Sequence, residues 1–219
     1  MTARIALIHT VTSLVPVFKK LIIELIPDAD IYHVVDESLL QNTIREGALS
    51  PITFRRVVDY IVSAEQAGAE FVLVTCSSIG PAVDLGELVT TIPVLRVDRP
   101  MVDYAVSIGE RIGVAATLNT TLEPTAALIQ ERAKAAGKQI VLTSKLCEGA
   151  FEAVISGDTL KHDELVSLGL MDLMDQVDVI VLAQASMARV VGELPVDEVR
   201  IPVLSSPRLA VEHLAKMVH

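Results

Sequence analysis

RIALIHTVTSLVP, Arg4 to Pro16, lines up with RIGVAATLNTTLEP, Arg111 to Pro124. Each is an apolar run of strand length that ends in small polar residues and leads into a helical pattern. FVLVTCSSIG, from Phe71, lines up in the same way with VIVLAQASMA, from Val179, and Ile92-Pro93-Val94-Leu95 recurs as Ile201-Pro202-Val203-Leu204. Arg4 and Arg111, Cys76 and Gln184, and Ile92 and Ile201 are 107, 108 and 109 residues apart. A nearly constant separation over three anchors marks a duplicated lobe rather than a short solenoid repeat.

Other apolar runs of strand length extend these anchors or lie between them. They are DIYHVV (Asp30 to Val35), IPVLRV (Ile92 to Val97), QIVLTS (Gln139 to Ser144) and IPVLSS (Ile201 to Ser206). All are apolar on both faces, as strands of a parallel sheet covered by helices must be. Amphipathic stretches separate them, such as Pro51 to Gly68 with Val57, Val58, Ile61, Val62 and Ala64 at core spacing. Alternating strand and helix predicts an α/β fold of two pseudo-symmetric lobes, each a parallel sheet flanked by helices, with a cleft between them. Residues 1–98 with 207–219 are expected to form the first lobe, carrying Cys76, and residues 99–206 the second, carrying Gln184. In the terminal segment Leu209, Val211, Leu214 and Met217 fall at helical intervals and are expected to pack back on a lobe.

Composition narrows the function. The 219 residues carry 28 acidic and 18 basic side chains, a formal charge of −10, with no local Lys/Arg cluster, which disfavours a nucleic-acid partner. Hydrophobic residues make up 51%, ample for a core, while aromatics are 3% with no Trp, too few for base-stacking or sugar-binding platforms. No run of about 18 apolar residues occurs, so no membrane span is expected. The N-terminus reads as a buried strand entering a helix rather than a targeting segment, and Cys76 and Cys147 are too few for a disulfide framework. A reducing, cytoplasmic location follows as the expectation.

The sharpest chemical feature is VTCSSIG, Val74 to Gly80. Cys76, Ser77 and Ser78 stand where a strand gives way to a helix, and helix-start N–H groups lower a thiol's pKa and hold carboxylates. The same residues also fit a small buried Cys beside an N-cap serine. Thr117, Asn119, Thr120 and Thr121 repeat the arrangement after RIGVAA, as carboxylate donors or as ordinary caps. In the first lobe the equivalent loop is His9-Thr10-Val11-Thr12-Ser13, where His9 either orients a substrate, tunes Cys76, or is structural.

VTCSSIGP after a parallel strand, the duplicated lobes and TLNTTLEPT together resemble the aspartate/glutamate/hydantoin racemase superfamily over essentially the whole chain. The resemblance implies two flavodoxin-like lobes and an isomerase that needs neither pyridoxal phosphate nor any other cofactor. It implies one cysteine from each lobe on opposite faces of a carbon α to a carboxylate or carbonyl. Cys76 matches the first of these, but Gln184 holds the position of the second, in Leu182-Ala183-Gln184-Ala185-Ser186. An amide donates hydrogen bonds to an enolate or carboxylate and does not exchange protons at useful rates. Two-base racemisation is therefore not expected. A single-cysteine decarboxylase or isomerase of a small dicarboxylic acid, or a non-catalytic small-acid binder, stands beside the racemase reading. Catalytic candidates are Cys76 and Gln184, and substrate-binding candidates are His9, Thr10, Ser77, Ser78, Thr117, Asn119, Thr120, Thr121 and Ser186. The expected partner is a small-molecule carboxylate, and a homo-oligomer is left open.

The remaining polar residues read more plainly. Cys147 is expected to pack, Asp98 to cap the helix after it or to border the site, and Asp163-Glu164 to form a solvated face. His162 lacks ligand partners at metal spacing, so no metal site is expected. No GxGxxG or GxxxxGK[ST] string occurs, so a nucleotide cofactor is unsupported.

Overall fold

A computed structural model describes residues 2–194 and 199–218. Met1 and His219, at the outer limits of the expected first lobe, lie outside the described residues, as do residues 195–198 of the second. The chain divides into two compact units, Met1–Arg99 with Pro207–His219, and Pro100–Ser206.

In the first unit, β1 (Arg4–His9), β2 (Asp30–Val35), β3 (Phe71–Val74) and β4 (Val94–Arg96) form a parallel sheet in the order β2-β1-β3-β4. Helices α1 (Leu14–Leu25), α2 (Glu37–Glu46), α3 (Pro51–Gln66) and α4 (Gly80–Val89) connect them. The local chemistry explains these boundaries. Asp36 caps α2 by accepting from the Ser38 N–H, and Gly47, at φ 67°, ends it in the left-handed region. Ser50 caps α3 by accepting from the Thr53 N–H, with Pro51 in the first turn, where its missing N–H costs nothing.

The second unit repeats the plan. The helix α5 (Arg99–Ile108) leads to β5 (Arg111–Ala116), α6 (Asn119–Ala135), β6 (Val141–Leu146), α7 (Ala150–Ile155), α8 (Thr159–Met174), β7 (Val179–Leu182), α9 (Ala188–Glu193) and β8 (Val203–Ser205). Its sheet is parallel in the order β6-β5-β7-β8, the order of the first sheet over again. The last helix, α10 (Ser206–Val218), returns to the first unit.

Both faces of each sheet are covered, which is why the strands read as unbroken apolar runs. On β1, Ile5 and Leu7 join Phe18, Ile22, Ala210, Val211 and Leu214 in one cluster, and Ala6 and Ile8 join Val57, Ile61 and Val83 in the other. In the second unit Ala115, Ile180 and Leu182 pack with Leu170 and Leu173 of α8. Met217 does not follow the expected stripe of α10: it is 38% exposed, and Ala210 is buried instead beside Val211 and Leu214.

Three strands start two residues later than expected. β4 and β8 start only after Pro93 and Pro202, which cannot donate to a ladder but whose carbonyls still accept, from Val72 N–H at 3.0 Å and Ile180 N–H at 2.9 Å. β6 runs over Val141–Leu146 rather than over 139–144, because pairing with β5 begins where Val141 meets Arg111. No helix among the described residues is long and apolar enough to cross a membrane.

Candidate active site

Beyond the last rung between β1 and β3 the two chains stay side by side. Thr75 N–H donates to the Ile8 carbonyl at 2.9 Å, and the Thr75 hydroxyl donates to the same oxygen at 3.1 Å. This sets His9 beside Thr75 and Thr10 beside Cys76. Cys76 leaves β3 extended, at φ −128° and ψ 120°, and a 3-10 turn, Ser77–Ile79, then runs into α4.

Four donors bond to the Cys76 sulfur: the Thr10 and Ser78 hydroxyls and the N–H groups of Ser78 and Ile79. The position at a helical start predicts a lowered thiol pKa, and the structure corrects this. Burial pushes the Cys76 thiol above its ordinary value, and the four hydrogen bonds only offset part of that rise. At rest near neutral pH the group is a thiol, with a thiolate's hydrogen bonds already assembled around it. Ser77 and Ser78 are both buried in the turn.

His9 is fully buried and reaches the sulfur only through its neighbours. Its Nδ1 is 2.9 Å from the Thr75 hydroxyl and its Nε2 is 2.9 Å from Nδ1 of His33. Because Thr75 donates to the Ile8 carbonyl, the consistent tautomers have His9 donating from Nδ1 and His33 donating to His9 Nε2. Burial lowers the His9 pKa to about 4, with His33 adding to the effect. Burial and the nearby Lys19 lower His33 as well. The unfolded chain therefore takes up protons first. Stability from the neutral His9 is complete above about pH 6.5 and is lost as the pH falls toward about 4. One group moved by that interval accounts for about 3 kcal/mol. Urea titrations of the wild type between pH 7.5 and 4.5 are expected to show this loss, and His9→Gln to flatten it. An unchanged slope in His9→Gln would contradict the assignment.

The end of β2 braces the same edge. Asp36 N–H donates to the His9 carbonyl at 3.0 Å, and the Asp36 carboxylate accepts from the Ser38 hydroxyl at 2.6 Å, from Tyr60 at 2.8 Å and from Arg56. Burial pushes this carboxyl up, but the bonds from Ser38 and Tyr60 and the Arg56 charge outweigh it, leaving the pKa below the ordinary value.

In the second unit Gln184 stands to Thr117 as Cys76 stands to Thr10. Ala183 N–H donates to the Ala115 carbonyl at 2.9 Å, and Gln184 leaves β7 at φ −128° and ψ 134° into a second 3-10 turn, Ala185–Met187. The Gln184 Oε1 accepts from Thr117 N–H at 2.6 Å and from the Thr117 hydroxyl at 3.0 Å. A backbone N–H can only donate, so the amide orientation is settled: oxygen inward, NH2 directed away from Thr117. Helix α6 follows with Leu118 at its N-cap, a residue whose side chain cannot cap. Asn119 and Ser186 are exposed, Thr120 is half-buried, and Thr121 is buried in the first turn of α6.

Residues outside these loops have partners of their own. Asp98 is fully buried, and its carboxylate is taken up by Arg96, an arginine inside an apolar strand run. Asp163 is not a solvated face: it accepts from Arg189 at 2.6 Å and from His162 at 2.8 Å, whereas Glu164 pairs with Lys161 at the surface. Cys147 is buried, its pKa pushed up to about 11 by burial, and a Cβ at Gly169 would lie 2.6 Å from its sulfur. It packs against α8. No group of three or more His, Cys, Asp or Glu side chains suited to a metal occurs among the described residues.

Two parallel sheets of one strand order, each placing a strand-to-turn loop at its third strand in sequence, define a duplicated α/β fold shared with solved racemases. A glutamate racemase from Francisella tularensis in complex with D-glutamate superposes with a TM-score of 0.76 at 16% identity, covering 99% of this chain and 81% of that one. An allantoin racemase from Klebsiella pneumoniae gives 0.69 at 19% identity, covering 99% and 88%. An aspartate racemase from Picrophilus torridus gives 0.71 at 14%, covering 98% and 94%. At these identities the likeness is one of fold. The sequence matches none of the curated proteins. The model of the Asp/Glu/hydantoin racemase family matches residues 7–214, and the chain belongs to that family.

Proposed function

We propose that the protein is a cofactor-independent enzyme of this family that acts through Cys76 at a carbon next to a carboxylate or carbonyl. The observation that carries the reading is the convergence of the Thr10 and Ser78 hydroxyls and the Ser78 and Ile79 N–H groups on one sulfur. These donors favour the thiolate that forms when a proton is given up and is needed to take one back. Thr10 and Ser78 hold the Cys76 sulfur, Thr117 holds Gln184, and His9 acts through Thr75; Ser77 in the first unit, and Asn119, Thr120, Thr121 and Ser186 in the second, offer neutral donors to a carboxylate. Gln184, with its NH2 directed away from Thr117, carries a donor suited to an oxygen on which charge develops. Two free thiols fit a reducing cytoplasm.

The family name alone implies racemisation, with an acid/base on each face of the carbon. Gln184 supports chemistry on one face only. A second reading, decarboxylation of a small dicarboxylic acid, is favoured by the resting thiol. There the C–CO2 bond breaks, its electron pair enters an enediolate, and the Cys76 S–H protonates that carbon. The thiolate left behind regains its proton from solvent. Deuterium incorporation followed by NMR over amino acids, hydantoins and substituted malonates tests both readings. Cys76-dependent exchange supports the first, Cys76-dependent release of CO2 the second, and binding without either leaves a small-acid binding protein.

Gln184→Cys restores a thiol at a backbone position of matching conformation. It is expected to convert one-face exchange into measurable loss of optical activity in the same substrate. Unaltered stereochemistry in a folded Gln184→Cys protein would show that the second face needs more than a thiol.

A further inference from the structure

Arg96 closes β4 and is only 3% exposed, with all three guanidinium nitrogens engaged. Nε and Nη2 donate to the two oxygens of Asp98 at 3.1 Å each, and Nη1 donates to Asp84 of α4 at 2.6 Å. Arg99 completes the cluster, donating to the other Asp84 oxygen at 2.7 Å and to Glu87 at 3.0 Å. The guanidinium lies against Gly80: a Cβ there would fall 2.4, 2.6 and 2.8 Å from Nη2, Cζ and Nε. No other residue fits while Arg96 stays in place. Gly80 is also the residue whose N–H closes the 3-10 turn by donating to the Ser77 carbonyl. The N–H groups of that turn are the ones that face the Cys76 sulfur.

We propose that Arg96 is a positioning residue for Cys76: its guanidinium, clamped between Asp98 and Asp84, pins Gly80 and so holds the Ser77–Ile79 turn with its N–H groups on the sulfur. The proposal rests on Cys76 being the reacting group, and its test reads the thiol itself, so an inactive preparation does not touch it. Arg96 works by shape rather than by field, since Asp98 and Asp84 balance its charge. The other groups facing the sulfur are the Thr10 and Ser78 hydroxyls, with the neutral His9 one residue away along β1.

The experiment is the pH dependence of Cys76 alkylation by iodoacetamide, read by mass spectrometry, with buried Cys147 as the unreactive internal control. Arg96→Lys and Arg96→Met are both expected to raise the thiol's apparent pKa by about one unit, a roughly tenfold loss of thiolate at neutral pH. A lysine keeps the charge without the planar fork, so rescue by Arg96→Lys would contradict a role in shape. Arg111→Met removes another Arg–Asp pair, with Asp178, and is expected to leave the titration where it is. Asp84→Asn loosens one anchor at a partly exposed site, keeps the fold, and is expected to shift the thiol in the same direction. An unchanged thiol titration in folded Arg96→Lys or Asp84→Asn would overturn the proposal.

Discussion

Cys76→Ser is expected to lower solvent deuterium exchange into the substrate at least about 10^3-fold while leaving the fold intact. The replacement keeps the size of the side chain and its hydrogen-bonding partners in the turn, so Thr10, Ser78 and Ile79 retain their geometry. What disappears is a group that can carry and release a proton near neutral pH, because an alcohol is a far weaker acid than a thiol. Positioned acid/base groups contribute typically about 10^2–10^4-fold. Residual exchange comparable to the wild type would place the reacting group elsewhere. Circular dichroism and a urea titration of the same sample separate loss of chemistry from loss of fold.

Asp98→Ala is expected to be the most destabilising single substitution in the first unit, at about 3–5 kcal/mol. The Asp98 carboxylate is wholly buried and neutralises a guanidinium that is itself 3% exposed. Its removal leaves Arg96 with Asp84 alone and two N–H donors without acceptors, in a place water does not reach. Replacing one member of a buried pair leaves an uncompensated charge, which costs far more than the pair contributes over an apolar substitute. The midpoint of urea unfolding measures this directly. A shift within the range of an ordinary surface substitution would mean that solvent already reaches the cluster.

The fold was legible in the sequence because duplication makes two weak signals reinforce each other. RIALIH and RIGVAA each read as a strand, and their common separation from the later anchors places them at the same point of two similar sheets. Strand ends were less legible. Apolar character in QIVLTS extends past the hydrogen-bonded ladder, which is set by pairing with β5 and not by hydropathy. The Cys76 loop stood out since Thr75-Cys76-Ser77-Ser78 interrupts apolar sequence with small polar residues where a parallel strand must end. Its thiol pKa did not, because the donors at a helical start are visible in sequence and the desolvation that outweighs them is not. Arg96 offered one signal, a charge inside VLRV, but its partners Asp84 and Gly80 belong to another element and meet it only through the sheet order. His33 was hidden likewise, as one residue of an apolar strand whose imidazole meets His9 across β1 and β2. The Thr117 bond that orients Gln184 spans 67 residues and needs β5 and β7 to be neighbours.

The central claim is that one thiol serves one face of the substrate carbon and that Gln184 supplies no second base. The direct measurement is the circular dichroism of L-aspartate, L-glutamate and a 5-substituted hydantoin incubated with the wild-type protein in D2O, with exchange at the same carbon followed by NMR. The account predicts that the dichroic signal persists while any deuterium that enters does so with retention and only when Cys76 is present. Rapid loss of the signal with any of the three would mean that another residue acts as the second base, and the claim would be wrong.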